Sequence, residues 1–440
     1  MMSILIILSA AMIGIAIGRM TFGKWFNHVS VYSATWCVTL SLYEMRFIQY
    51  YPLEARTWMI IATGWLSFLF GSVTVAFARL NRQKQNIQTA VPFGIDDGMQ
   101  KILKKVLWGL NIITLFAALH SLYIVTKVFG SFTNALVMGN LLYSYRVSEG
   151  GGLPGSIPYL SSLVFAAAML GGHYTARIGK ISLAGILPLI IVVMIDFANM
   201  GRVDILVAAI IYTSSYFITQ KKEVRKGKVF SSKFKKFAMM LVIVMIIAGG
   251  AEFIRSIRKP SEGFTGTSKA LSKFSKASFI TPSIYLYFSA HNGVLDQYLK
   301  DGGEQTPIGG HTFSPIYRIL EKFGYERTVN TYQVGYKTPV WTNTGTYLRE
   351  LHGDFGVAGI LLGPYIIGLL TSFYWFRYKD HGRYTDLTIA TLLFVVVGLS
   401  YFTMATRMGA MLVYLISSLT IGSMLDRIKA KQQKQLLPAE

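Results

Sequence analysis

Arginine is the residue type in this sequence that best matches a chemical task, because five arginines lie where hydrophobic runs end. They are Arg202, Arg255, Arg258, Arg349 and Arg407. A guanidinium group keeps its charge at physiological pH and binds phosphate oxygens through two parallel hydrogen bonds. Fixed cations beside a low-dielectric region also stabilise negative charge that develops in a transition state. This pattern predicts a site for a phosphate-bearing ligand.

The same arginines also have structural interpretations. Arg202 and Asp196 flank a very short turn, where an Arg–Asp pair would hold two helices together. Glu252, Arg255 and Arg258 are spaced i, i+3, i+6 and share one face of a helix, which is also the pattern of a solvated ion-pair stripe. Arginines at membrane ends commonly extend their side chains to the interface. The sequence leaves both interpretations open.

Three further ionisable residues follow Arg349 within one short stretch. They are Glu350, His352 and Asp354. Histidine titrates near neutral pH, so His352 is the first candidate for a general base, with Asp354 and Glu350 behind it. Asp354 also fits the N-cap of a helix that begins at Phe355. A single histidine on a loop is commonly only hydrogen-bonded or solvated, so this assignment also has a structural alternative.

Aromatic residues accompany these polar groups. The candidates for stacking on sugar rings are Tyr285, Tyr317, Tyr336, Trp341 and Tyr347. Their alternative role is to pack in the fold or to form the aromatic belt of a membrane protein.

The elements that carry these residues belong in a membrane. The chain of 440 residues is 52% hydrophobic, and its mean hydropathy is +0.44. A bilayer core of about 30 Å requires about 20 apolar residues in each helix. Eleven such runs predict an all-α polytopic membrane protein with about eleven spans, within a range of ten to twelve. The runs are Met2–Gly18, Val29–Met45, Trp58–Ala78, Val106–Thr126, Ile157–Ala176, Ile181–Asn199, Val203–Thr219, Phe237–Ile254, Phe355–Phe376, Thr385–Met404 and Gly409–Leu425.

Basic residues predict the orientation of the chain, since cytoplasmic loops carry excess Lys and Arg. Every second connection is basic, most strongly 221–236, which places the N-terminus outside and the C-terminus in the cytoplasm. The chain then divides into spans one to eight at 1–254, a large outer loop at 255–354, and spans nine to eleven with a cytoplasmic tail at 355–440. Thr281-Pro282 and Ser314-Pro315 predict short helices in the outer loop.

Composition excludes several other classes of protein. The net charge of +22 is distributed over short loops between spans, which argues against nucleic-acid binding and suits contact with anionic lipids. The single cysteine, Cys37, permits neither an internal disulfide nor a cysteine-based metal site. The sequence has no nucleotide-binding glycine motif. We predict that the chemistry needs neither a metal ion nor another cofactor.

The stretch from Asn343 to Gly359, which reads Asn-x-Gly-Thr-x-Leu and then Asp-Phe-Gly-x-x-Gly before a late span, resembles bacterial oligosaccharide-repeat-unit polymerases. These are the Wzy-type O-antigen and capsule polymerases. The tight turn Met200-Gly201-Arg202 and the general layout, with one dominant late outer loop and basic inner loops, are also similar to that family. Related O-antigen ligases share the layout.

The resemblance implies an inverting, metal-independent glycosyltransferase with a GT-C-like helical bundle in the bacterial inner membrane. It would polymerise undecaprenyl-diphosphate-linked repeat units at the outer face, in O-antigen or related polysaccharide biosynthesis. Arg202, Arg255 and Arg258 would hold the diphosphate, with Arg349 and Arg407 as further candidates. The alternatives are a ligase-like glycosyltransferase, a flippase of lipid-linked oligosaccharide, and a receptor-like membrane protein. Expected partners are the lipid-linked glycans and membrane lipids, and the sequence leaves open whether a chain-length regulator also binds.

Overall fold

The structure of the chain is a computed structural model. It describes residues 2–83, 97–139, 141–142, 155, 157, 159–220, 249–250, 252–257, 267–269, 271, 281–304, 306–326 and 333–436. Of the sequence-based assignments, Arg258 and most of the run Phe237–Ile254 lie outside these residues.

Helices account for almost all of the regular structure in these ranges. They are α1 Met2–Phe22, α2 His28–Met45, α3 Ala55–Gln83, α4 Asp97–Phe129, α5 Phe132–Val137, α6 Leu163–Ile178, α7 Leu183–Asn199, α8 Val203–Thr219, α9 Pro282–Ser289, α10 His291–Lys300, α11 Ser314–Glu321, α12 Tyr347–His381, α13 Tyr384–Gly398 and α14 Gly409–Leu436. Two short 3₁₀ helices are Leu160–Ser162 and Ala405–Arg407. A small antiparallel hairpin joins β1 Tyr336–Lys337 to β2 Trp341–Thr342, with Tyr336 opposite Thr342.

Five helices in the described part of the chain are long and apolar enough to cross a membrane. They are α1, α3, α4, α12 and α14. The helices α7, α8 and α13 are apolar but shorter, with 17, 17 and 15 residues. At a rise of 1.5 Å per residue these reach about 22–26 Å, slightly less than the bilayer core. The prediction of an all-α membrane protein is confirmed, and the number of spans stays a prediction.

The described residues form two compact units. Unit 1 comprises residues 1–89, 261–376 and 393–412, and unit 2 comprises 90–260, 377–392 and 413–440. The functional residues of α12 therefore belong to unit 1, together with α1, α2, α3, α9, α10 and α11.

Small residues allow the helices of unit 1 to approach closely. A Cβ atom built on Gly71 of α3 would lie 2.0 Å from the carbonyl oxygen of Tyr365 in α12. A Cβ atom on Gly368 would lie 2.3 Å from the carbonyl oxygen of Phe68. Glycines at helix contacts are a common device in membranes, because packing must replace the hydrophobic drive between helices. Gly71 and Gly368 thus fix α12 against α3.

Buried polar and aromatic groups attach α2 to the same surface of α12. The Nε2 atom of His28 lies 2.8 Å from the Oγ atom of Ser372. The His28 ring packs within 6.2 Å of the rings of Phe22, Phe68 and Trp375. The hydroxyl oxygen of Tyr32 in α2 also lies 2.7 Å from that of Tyr347 in α12. Contacts with α2 therefore hold α12 in place at both Tyr347 and Ser372.

Unit 2 contains a bundle of α4, α6, α7 and α8. A Cβ atom on Gly171 or Gly172 of α6 would lie 2.5 Å from Gly185 O or 2.3 Å from Tyr212 O, so α6 contacts both neighbours through glycine. Asn111 of α4 donates to the carbonyl oxygen of Ala184 at 3.0 Å. The ring of Phe197 near the end of α7 lies 5.6 Å from that of Phe253, so residues 252–257, which include Arg255, contact this bundle.

Candidate functional site

The first turns of α12 carry four of the predicted polar residues. The helix begins at Tyr347, whose backbone N–H donates to the carbonyl oxygen of Ser400 at 2.9 Å. The helix breaks at Gly356, where φ is 60° and ψ is −146°. Only glycine adopts this conformation readily. The break separates a short segment with Arg349, Glu350, His352 and Asp354 from the long apolar segment that follows.

Glu350 forms a buried ion pair with Arg407. The Oε1 atom of Glu350 lies 2.8 Å from the Nη1 atom of Arg407, and both side chains are at most 7% exposed. Thr403 donates to Oε2 at 3.0 Å, and the backbone N–H of Met404 donates to the same oxygen. Buried charges persist only when they are paired and hydrogen-bonded. Glu350 therefore holds the connection before α14 in place, which makes it a positioning residue and a poor candidate for a base.

His311 extends this ion pair, although its surroundings in the sequence do not mark it as a site residue. Its Nδ1 atom lies 3.2 Å from the Nη1 atom of Arg407. Because arginine can only donate, Nδ1 accepts and the proton resides on Nε2. Burial lowers the pKa of His311, the Glu350 carboxylate opposes this shift, and Arg407 adds to it. His311 is thus a neutral ring that presents an N–H donor at neutral pH.

Asp354 binds the loop that contains His311. Its Oδ1 atom accepts from Thr306 Oγ1 at 2.9 Å and from the His311 backbone N–H at 2.7 Å. Its Oδ2 atom accepts from the backbone N–H and the hydroxyl group of Thr312, both at 2.7 Å. These four bonds fill the lone-pair positions of the carboxylate. The structure corrects the assignment of Asp354 as an N-cap or base, since it lies inside α12 and anchors residues 306–312.

Arg349 lies between two aromatic rings. Its guanidinium carbon is 5.2 Å from the ring centre of Tyr298 and 5.1 Å from that of Tyr336. Nη2 donates to Glu304 Oε1 at 2.9 Å, and Nη1 donates to the carbonyl oxygen of Val334 at 3.0 Å. Cation–π contacts strengthen when the cation is desolvated, and Arg349 is only 2% exposed. The hairpin β1–β2 supplies Tyr336, so this hairpin packs against Arg349.

One of the two ring nitrogens of His352 is hydrogen-bonded. Its Nδ1 atom lies 3.0 Å from the hydroxyl oxygen of Tyr298, which is 3.4 Å from the carbonyl oxygen of Glu304. Burial raises the pKa of Tyr298 to about 12, so this hydroxyl keeps its proton at neutral pH. No described residue hydrogen-bonds to the Nε2 atom of His352. Arg56, an exposed residue of α3, acts electrostatically on His352, and nothing in its sequence context indicates this role.

Two of the five aromatic assignments are corrected by burial. Tyr285 is 2% exposed, stacks near Tyr50, and donates its hydroxyl proton to the carbonyl oxygen of Leu42. Tyr347 is 1% exposed, and its hydroxyl oxygen lies 2.7 Å from that of Tyr32 in α2. Neither ring has a face available for a sugar, so both support the fold.

The other three aromatic residues keep accessible surface. Tyr336 contacts Arg349, as described above, and remains partly exposed. Tyr317 is partly exposed and donates to the carbonyl oxygen of Ile308 at 2.9 Å. Trp341 is 69% exposed beside Gly335. Their role in sugar binding stays a prediction.

The predicted arginines are divided between the two units. Arg349 and Arg407 belong to unit 1, and Arg202 and Arg255 belong to unit 2. The Nε atom of Arg255 donates to Glu252 Oε2 at 2.7 Å, which matches the ion-pair interpretation of this helix face. Arg202 immediately precedes α8, whose first turn is held by a hydrogen bond of 2.8 Å from Ile205 N–H to Asp196 Oδ2. A common pocket for all these arginines stays a prediction.

Together these features define an all-α membrane protein with a buried ionic cluster at the start of a long apolar helix. Within the described ranges, no group of three or more His, Cys, Asp or Glu side chains is arranged to hold a metal ion. Comparison of the chain with protein-family models, with curated proteins and with solved structures gives no match.

Proposed function

We propose that the chain is a glycosyltransferase that polymerises oligosaccharide repeat units carried on a lipid diphosphate, at the outer face of a bacterial inner membrane. One observation carries the proposal. His352 lies in the first turns of α12, and His311 is held against them by Asp354 and Arg407. Beside them are the buried Arg407–Glu350 pair and the partly buried Arg349–Glu304 pair. Ionisable groups are costly inside a membrane protein and commonly mark its functional site. The resemblance in sequence around Asn343–Gly359 supports the same function.

His352 would act as the general base. When the Tyr298 hydroxyl donates to the carbonyl oxygen of Glu304, the Nδ1 atom of His352 must carry its own proton to complete the contact. The lone pair then resides on Nε2, the nitrogen without a described partner. This nitrogen would accept the proton of the attacking sugar hydroxyl. Tyr298 would thereby orient the ring, as the third group does in other acid–base sites.

The leaving group would be stabilised by donors and cations. The acceptor oxygen forms a bond to the anomeric carbon, the bond from that carbon to the phosphate oxygen breaks, and the lipid diphosphate departs with the electron pair. His311 would offer its Nε2–H beside this charge, and Arg349 and Arg407 would add positive charge that Glu304 and Glu350 partly balance. Arg56 is a further candidate, because it is exposed and interacts with His352. A single displacement of this kind inverts the anomeric centre.

The experiment is to replace His352 with Asn and to follow chain growth by purified protein on lipid-diphosphate-linked repeat units. Asn keeps a polar atom near the position of Nδ1 and removes Nε2. A base contributes about 10²–10⁴-fold to rate, so we expect extension to fall by at least about a hundredfold. Gln at position 352, which reaches the Nε2 position but accepts no proton, should be equally inactive. Long glycan chains from both variants would contradict the proposal.

A ligase is the second candidate, because a histidine beside arginine, as in the His311–Arg407 contact, also suits glycan transfer from the same carrier. The products in cells distinguish the alternatives. Loss of a polymerase leaves single repeat units on the lipid core, and loss of a ligase leaves finished polymer on the diphosphate carrier. Loss of a flippase leaves no repeat units outside.

A further inference from the structure

The helix α11 exposes its apolar side and packs its polar side against the protein. Ile316, Ile319 and Phe323 follow one another at intervals of three and four residues, so they share one face of the helix and of the turn that ends it. All three are exposed, Phe323 by 77%. Ser314 on the opposite face is buried, and Arg318 is partly buried. A surface helix surrounded by water has the reverse arrangement.

The apolar surface continues beyond α11 to a helix that can cross the membrane. Ile308 and Phe313, in the loop before α11, are also exposed. A Cβ atom built on Gly309 would lie 2.5 Å from the ring of Phe313 and 3.5 Å from the ring of Phe355, so both rings adjoin this loop. Phe355 of α12 is itself exposed and is followed by Val357, which is 68% exposed on the long apolar segment. The apolar surface of α11 therefore adjoins the surface that α12 presents to lipid.

Two sets of hydrogen bonds fix the depth of α11. Asp354, at the start of α12, binds the loop 306–312 through both of its carboxylate oxygens. Thr406 donates to the carbonyl oxygen of Thr312 at 2.8 Å, and it lies in the 3₁₀ helix that precedes α14. Both α12 and α14 are long and apolar enough to cross a membrane. The loop before α11 is thus held where two such helices begin, which is the level of the boundary between membrane and water.

The residues at the edge of the apolar face suit this boundary. Lys322 on its flank is exposed, and Tyr325, just after the helix, is also exposed. Lysine extends its charged end from an apolar surface into the headgroup region, and tyrosine is enriched at membrane–water interfaces. Continuity with α12 favours lipid over a protein partner, because a protein on this face would also have to displace lipid from α12.

We infer that α11 is an interfacial membrane helix, whose apolar face lies against the acyl chains of the leaflet that surrounds the start of α12. Exposed apolar patches with a polar rim mark contacts of this kind. An amphipathic helix lies in the plane of the interface, with its apolar face buried about 5–10 Å into the boundary between headgroups and acyl chains. The leaflet thereby supports the loop 306–312, which carries His311. The inference does not rest on the proposed function, because contact with lipid requires no reaction.

The test places one spin label at a time on the full chain, in vesicles of phosphatidylethanolamine and phosphatidylglycerol. Cys37 is the single cysteine, so the background is Cys37→Ser. Labels at Ile316→Cys and Phe323→Cys should collide more often with oxygen, which concentrates in lipid, than with a water-soluble nickel chelate. Their depth should be about 5–10 Å below the headgroup boundary. Val357→Cys gives the lipid reference, and Asp301→Cys, exposed after α10, gives the aqueous reference.

A charge placed on the apolar face provides a second measurement. In the protein labelled at position 316, Ile319→Glu should shift the balance of collisions toward nickel, because charged side chains are costly among acyl chains. Lys322→Gln, at the edge of the face, is the matched control and should leave the balance unchanged. Labels at positions 316 and 323 that respond like position 301 overturn the inference. Labels that neither reagent reaches also overturn it, because a second copy of the chain or another protein would then cover the face.

Discussion

At the scale of single residues, the Glu350–Arg407 pair makes a prediction about stability. Glu350→Gln keeps the shape of the side chain and removes the charge that pairs with the buried Arg407 cation. His311 cannot compensate, because it is neutral. Breaking a buried pair in this way costs about 3–5 kcal/mol. We expect a large fall in the melting temperature in detergent.

A matched control is Glu54→Gln, since Glu54 pairs with Lys300 at 3.5 Å but its side chain is 57% exposed. Exposed pairs contribute about 0–1 kcal/mol, so its melting temperature should barely move. The double variant Glu350→Gln with Arg407→Gln should recover part of the loss. Equal melting temperatures for Glu350→Gln and Glu54→Gln would show that the buried pair does not stabilise the fold.

His311 predicts a dependence of stability on pH. Its pKa is lowered in the folded state, mainly by burial, and the nearby Arg407 lowers it further while Glu350, Asp354 and Glu304 oppose the shift. Below the ordinary histidine pKa of about 6.5, the unfolded chain binds a proton that the folded chain binds less well. Stability is therefore lost as the pH falls through this region.

The measurement is the melting temperature at pH 7 and at pH 5.5. His311→Asn retains an acceptor for Arg407 and cannot become charged, so it should lose less stability than the wild type between these two values. His291, whose pKa is also lowered by burial, contributes to a drop that remains in the variant. An identical drop in both proteins would exclude His311 as a titrating group.

Residue-level partners could not be predicted from the sequence, because they are far apart in the chain. Arg407 and Glu350 are 57 positions apart, Tyr298 and His352 are 54 apart, and Arg349 and Glu304 are 45 apart. The sequence identified the residue types that are costly in a membrane, which is why Arg349, Glu350 and Arg407 were selected. It contained no local signal for the bond between Asp354 and the loop 306–312.

At the scale of helices, the effect of replacing glycine with alanine should depend on whether the glycine lies in a helix contact. Gly71 lies in the contact between α3 and α12, and Gly109 of α4 lies in none. Gly71→Ala places a methyl group against the Tyr365 carbonyl oxygen, and this clash with backbone can only be relieved by moving one helix. Gly109→Ala in α4 meets open space and gains helix propensity of up to about 1 kcal/mol. Gly71→Ala should lower the melting temperature and Gly109→Ala should leave it unchanged or raise it. A harmless Gly71→Ala would mean that the helices are farther apart than described.

The hydrophobic runs predicted helices well, because length and apolar content are the signal that a bilayer imposes. The run Val203–Thr219 has the same bounds as α8. The start of α12 was predicted too late, at Phe355, because Asp354 before an apolar run has the pattern of an N-cap. A glycine at position 356 instead permits a break inside one longer helix, which begins at Tyr347.

At the scale of the whole molecule, the predicted topology is the premise of the proposed function. An odd number of spans places the two termini on opposite sides, and the positive-inside rule places the outer segment with His311 and Tyr336 away from the cytoplasm. A lipid-linked glycan exposed outside the membrane can reach Arg349, Glu350 and His352 at the start of α12 (the α12 cluster) only in that orientation. The orientation therefore requires a direct measurement.

Cys37 is the single cysteine, so a Cys37→Ser background allows labelling of one introduced position at a time. Asp301→Cys follows α10 in the predicted outer segment, and Lys431→Cys lies near the end of α14 on the predicted cytoplasmic side; both positions are exposed. A membrane-impermeant maleimide applied to spheroplasts should label position 301 at once and position 431 only after the membrane is opened. The Cys37→Ser protein without an added cysteine gives the background. Labelling of both positions from outside would mean that an even number of spans lies between them. Labelling of position 431 alone would mean that the orientation is the reverse of the predicted one. The α12 cluster would then face the side that no exported glycan can reach.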